Sequence, residues 1–95
     1  MKIIVNTAWN HPKGINWDKM QEELTEGLKT SVPGMQIQWF EIDQTTQGSV
    51  AIFPSQEAYE ENLSKLNEYR KEEIKNKGLS MVYEAVGPVK AEGKS

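Results

Sequence analysis

Residues 35–53 hold two extended patterns and no helical one, and this stretch restricts the fold more than any other part of the chain. MQIQWFEID (35–43) alternates apolar and polar residues, SVAIF (49–53) is a short apolar run, and the polar QTTQG (44–48) connects them. Strand, short connection, strand is a β-hairpin. One strand pattern and one helix pattern precede it. KIIVNTAW (2–9) is rich in β-branched residues and reads as a strand, which Pro12 and Gly14 of NHPKG interrupt. Asn16 then stands as an N-cap with Asp18 in the first turn. Trp17, Met20, Leu24 and Leu28 recur at the three- and four-residue spacing of an amphipathic helix, until Pro33-Gly34 stops it. The same pair in reverse order follows the hairpin. Pro54 ends the apolar run and Ser55 caps a helix with Glu57, Glu60 and Glu61 near its positive end and Lys75 and Lys77 near its negative end, before Gly78 closes it. Tyr59, Leu63 and Leu66 mark one face of that helix, continued by Tyr69 and Ile74. LSMVYEAV (79–86) is the last strand, and Gly87-Pro88 ends it.

The order is β-α-β-β-α-β. Right-handed crossovers and a tight hairpin leave few arrangements for these elements. The expectation is an α+β, ferredoxin-like fold with a four-stranded antiparallel sheet and two helices on one face. Residues 1–88 form the expected domain, with 89–95 a loose tail.

A chain of 95 residues makes one domain. At this size only about 60–65% of the unfolded surface is buried on folding. With no cysteine, neither disulfides nor thiolate metal sites supplement the core, and the composition fits a reducing cytosol. The start lacks the apolar region of a signal peptide, and no run approaches the ~20 apolar residues of a membrane span. A cytoplasmic protein without a membrane partner is expected. A net charge of -3 argues against nucleic acid as a partner. The basic residues of RKEEIKNK (70–77) are interleaved with glutamate and read as a solvated helix face.

Two helices cover only one face of a sheet, so a monomer should show a polar second face. Ile3, Val5, Thr7 and Trp9 share one parity of the first strand, and Ile4, Asn6 and Ala8 the other. Ile37 and Trp39 oppose Phe40 and Ile42 in the second, and Met81 and Tyr83 oppose Val82 and Val86 in the last. Neither parity is cleanly polar, which predicts a homodimer through the sheet face.

Candidate chemistry is sparse. His11, the only histidine, lies in NHPKG and reads as a surface turn residue. Glu41, Asp43 and Glu84 lie on strands. A Glu84 carboxyl half-buried between Tyr83 and Ala85 would suit acid/base work, although an outward-facing strand Glu is the commoner case. Asn6 interrupts the best strand and needs hydrogen-bond partners there, either a ligand or a neighbouring backbone group. Trp9, Trp17, Trp39, Phe53, Tyr59 and Tyr83 line either a pocket or a core. There is no Gly-rich phosphate loop, CxxC pair or Ser-His-Asp set. The third strand, GSVAIFPS, lacks the stacked aromatics of RNA-recognition sheets.

NTAWNHPKG, VPGMQIQWFEID, IFPSQEAYEENL and MVYEAVGPV together resemble the antibiotic-biosynthesis-monooxygenase-like branch of the dimeric α+β barrel superfamily, over residues 2–89. The resemblance implies a homodimer whose sheets face each other as a barrel, with a pocket between sheet and helices in each subunit. It also implies a cofactor-independent, monooxygenase-like enzyme acting on an aromatic or apolar compound, with neither cofactor nor metal. Haem-degrading members carry a strand-one Asn, a strand-three Trp and a helix-two His. Asn6 fits the first, but Phe53 stands in place of the Trp and the second helix has no His. In the resulting assignment Asn6 orients a substrate oxygen, Tyr83 or Glu84 carries a proton, and Trp9, Trp39, Phe53 and Tyr59 form the pocket walls. The alternative is a non-catalytic dimeric module for small-ligand binding or assembly.

Overall fold

Every odd residue from Ile3 to His11 is buried, and this single row of side chains orients the whole sheet. In the computed structural model, which describes residues 1–95, β1 (Ile3–Asn10) lies between β3 (Thr46–Phe53) and β4 (Ser80–Pro88), with β2 (Gln36–Asp43) outside β3. All neighbouring strands are antiparallel. Helices α1 (Trp17–Leu28) and α2 (Gln56–Lys77) follow β1 and β3, completing a ferredoxin-like α+β fold.

Local chemistry explains where the elements begin and end. The Asn16 Oδ1 accepts the Lys19 N–H at 3.1 Å, and the Ser55 Oγ accepts the Ala58 N–H at 3.0 Å. Gly78, at φ 68°, closes α2 in a left-handed conformation that a side chain would strain. Ser55 does not line the cavity described below. Ser55→Ala is therefore expected to lower the unfolding free energy by about 0.5–2 kcal/mol. A urea titration checks this, and ligand affinity in that cavity should stay unchanged.

The hairpin is tighter than QTTQG suggests. Only Gln44 and Thr45 form the turn, and β3 already begins at Thr46. Asp43 makes this possible by accepting the Thr45 N–H at 2.9 Å, a contact that also holds its carboxyl below the usual range. Gly48 is required in β3 because the ring of Phe40, its partner across the ladder, occupies the space a Cβ would fill.

A β-bulge between Ala8 and Trp9 shifts the pairing with β4, so that Trp9 faces Met81 and Ala8 faces Tyr83. Simple alternation would put Met81 and Tyr83 on one face; the bulge puts them on opposite faces. The face away from the helices carries Ile4, Ala8, Phe40, Val50, Ile52 and Tyr83, of which Phe40 and Tyr83 are exposed. Residues 89–95 have no regular structure, but Val89 N–H donates to Lys2 O at 2.9 Å and Lys2 pairs with Glu92 at 3.0 Å.

The packed core is confined to one end of the helix–sheet interface. Ile3, Val5, Ala51 and Phe53 form it, with Val32, Met35, Ile37 and Tyr59 packed around them. Phe53 is fully buried, and the Tyr59 ring meets it edge-on at 5.4 Å. No residue of α2 is fully buried, because towards the Trp9 end the helices stand over a cavity.

Candidate active site in the helix–sheet cavity

The cavity has a volume of about 290 Å³ and runs along the strands from the core end to the far end of β1. Val5, Met35, Ile37, Ala51 and Phe53 make its apolar end, and Trp39 forms part of the wall. Trp9, His11, Gln47, Glu23, Tyr69 and Glu73 gather at the other end. Its size, at the lower limit of small-molecule sites, and its apolar lining with a few converging polar groups suit a compound of one or two rings.

His11 is not the surface turn residue its sequence context suggests. Its N–H donates to Thr45 O at 2.7 Å, which carries the β1 ladder one residue past Asn10, so His11 follows Trp9 onto the helix side. Pro12 breaks the strand only after that. The ring Nε2 lies 2.7 Å from Gln47 Oε1. An amide oxygen only accepts, so Nε2 carries the proton in the neutral ring and Nδ1 is left as an acceptor.

The basic run 70–77 is likewise more than a solvated face. Arg70 places its guanidinium 5.9 Å from the Trp9 ring centroid and donates to Glu84 at 2.8 Å, with only 16% of its side chain exposed. Lys77 reaches Glu23 at 2.7 Å and Glu73 at 3.0 Å. Burial works to lower the Lys77 pKa, but hydrogen bonds to Glu23 and Glu73 and their charges outweigh it and hold the pKa above its ordinary 10.5. Tyr69 leaves part of its ring exposed yet lines the cavity. There burial first, and then the negative charges of Glu73 and Glu23, raise its hydroxyl well above the ordinary 10.0.

Both groups keep their protons longer in the folded chain than in the unfolded one. The stability they contribute is complete below the unfolded pKa values and is lost as pH rises through and beyond them. The urea midpoint should therefore fall above about pH 10. In Tyr69→Phe combined with Lys77→Met that decline should be shallower. An identical alkaline slope in the variant would contradict the assignment.

Of the expected site residues, Trp9, Trp39 and Phe53 line the cavity, and Tyr59 supports Phe53 from behind. Glu84, paired across the ladder with Thr7, is on the helix side but is engaged by Arg70 and partly exposed, outside the cavity lining. Asn6 and Tyr83 are on the opposite face, away from the cavity. Asn6 Nδ2 donates to Ser49 O at 3.0 Å, the backbone partner that was one of its two readings. Trp17 lies in a separate groove with Phe40 beside β2. Glu23 and Gln47 drew no notice in the sequence, while His11, Tyr69 and Arg70 read there as a turn residue, a helix-face residue and part of a solvated run. The signals for them were the odd parity of β1 carried to residue 11, and the spacing Leu66, Tyr69, Arg70, Glu73, Lys77 along α2. Ile74, expected on that inner face, is exposed. No group of three or more His, Cys, Asp or Glu residues is placed to hold a metal ion, and no helix is long and apolar enough to cross a membrane.

Fold and site together define a ferredoxin-like α+β protein with a small, mainly apolar cavity between its helices and its sheet. Compared with protein-family models, with curated proteins and with solved structures, the chain matches none of them.

Proposed function

We propose that this chain is a small-molecule enzyme of the cofactor-independent kind found among monooxygenase-like dimeric α+β barrels, acting on an aromatic or apolar compound held in the helix–sheet cavity. The observation that carries this reading is a buried imidazole at the polar end of an otherwise apolar cavity. Gln47 holds the His11 ring by Nε2, which leaves Nδ1 to take a proton from an acidic O–H or C–H of the compound. Trp9 and Trp39 flank the apolar body, and Arg70, anchored by Glu84, stiffens the Trp9 wall. His11 thus takes the proton-carrying role expected of Tyr83 or Glu84, and Asn6 no longer orients the substrate, since none of these three side chains lines the cavity. The outer face of the sheet, where Phe40, Val50, Ile52 and Tyr83 stand among Asn6, Gln36 and Gln38, favours pairing of two copies into a barrel.

A second reading, a non-catalytic dimeric binding module, is favoured by the engagement of the other polar groups. Arg70, Glu84 and Lys77 are already ion-paired, which leaves His11 nearly alone as a reactive group. Titration with 1-naphthol, followed through tryptophan fluorescence, separates the outcomes. Binding that Trp39→Ala weakens by about tenfold or more supports the cavity as the site. Aerobic consumption of bound naphthol or a naphthohydroquinone, above the protein-free rate and lost in His11→Gln, supports the enzyme. Binding without turnover supports the module, and no binding of either probe overturns both.

A further inference from the structure

We propose that the compound held in this cavity carries a protonated amine, received by the Glu23 carboxylate; the inference rests on the cavity reading above and narrows its ligand class. Glu23 projects from α1 into the cavity lining. One carboxylate oxygen, Oε1, accepts from Lys77 at 2.7 Å. The other, Oε2, is buried and has no hydrogen-bond partner anywhere in the chain, although the side chain as a whole stays partly exposed. A carboxylate oxygen left buried and unpaired costs stability, and a ligand donor that the Glu23 side chain turns to meet recovers that cost.

Charge decides what kind of donor it is. Lys77 is shared between Glu23 and Glu73, so this cluster sets two negative groups against one positive. Arg70 and Glu84 offset each other, and Lys65, elsewhere on the lining, is turned to Thr30 O at 3.5 Å. A neutral hydroxyl would satisfy Oε2 but leave the excess uncompensated. An ammonium does both, through a charge-assisted hydrogen bond roughly twice as strong as a neutral one. A carboxylate head meets repulsion. The ligand class is therefore a compact arylalkylamine, its ring towards Phe53 and Ile37 and its nitrogen towards Glu23.

Three probes with the same ring and different heads test this on the full chain: 2-phenylethylamine, 2-phenylethanol and 3-phenylpropanoate, titrated by calorimetry and by the indole N–H resonances of Trp9 and Trp39. The amine is expected to bind about tenfold tighter than the alcohol, with the carboxylate weakest. Glu23→Gln places an amide where the carboxylate was; it should erase the amine's advantage while changing the alcohol by less than about twofold. Should that variant fail to fold, the wild-type ranking and its weakening by salt decide alone. Alcohol binding equal to or tighter than amine, sensitive to Trp39→Ala, overturns the amine and leaves the cavity standing. An amine preference that survives Glu23→Gln also overturns it. Failure of all three probes to perturb either indole removes the cavity reading itself.

Discussion

Phe53→Ala is expected to cost about 3–5 kcal/mol, the largest loss from any single truncation in this chain. Phe53 is the one large side chain with no exposed surface, and it joins Ile3, Val5 and Ala51 to the edge of the Tyr59 ring. Domains are stable by only about 5–15 kcal/mol, so the change removes at least about a fifth of the total and as much as all of it. The surroundings are badly placed to collapse onto the space. Phe53 already borders a cavity on one side, and the β3 backbone that carries it is fixed between β1 and β2. Phe53→Leu should cost less than about half as much, because most of the contact is kept. Guanidinium unfolding of the three proteins checks the order. A loss below about 1 kcal/mol for the alanine variant would mean that α2 settles into the gap, and that the cavity is more adaptable than its geometry indicates.

On the proposed dimer, Val50→Glu is expected to convert a species of twice the 10.8 kDa chain mass into the chain itself. Val50 is at the middle of the open face: it lies on an inner strand, opposite Asn6 on β1 and Gln38 on β2, with Ile52 two residues along the same face. A standard interface buries roughly 1,200–2,000 Å². A two-fold axis through such a face brings each Val50 near its own copy, so the substitution puts two carboxylates together in a desolvated centre. Repulsion and lost apolar burial then act in the same direction. The monomer should stay folded, because Val50 takes no part in the core around Phe53. Sedimentation equilibrium at tens of micromolar is the measurement. A wild-type mass of one chain would remove the barrel pairing, whatever the variant does.

Local signals were enough for the elements themselves. Asn16, Ser55 and Gly78 act where the caps occur, because a cap is a contact between residues no more than four apart and needs no tertiary partner. The hairpin and its neighbours then leave few topologies, and the observed sheet order β2-β3-β1-β4 belongs to the ferredoxin-like one. Even part of the site was legible. Period two already puts Asn6 and Trp9 on opposite faces of β1, so they could not share a pocket however attractive each looked alone.

What the chain's own order could not disclose are facts that depend on two segments at once. The bulge opposite Ala8 and Trp9 exists only in the pairing of β1 with β4, and it alone separates Met81 from Tyr83. His11 is buried because Thr45, distant in sequence, supplies the carbonyl that prolongs β1; without that partner, NHPKG is an ordinary turn. Glu73 and Lys77 turn inward because Glu23 waits across the gap from α1. Strand and helix patterns, being local, were determined by the sequence by itself. The helix–sheet cavity and its polar end were decided only by the tertiary structure, since a cavity is the space that separate elements fail to fill.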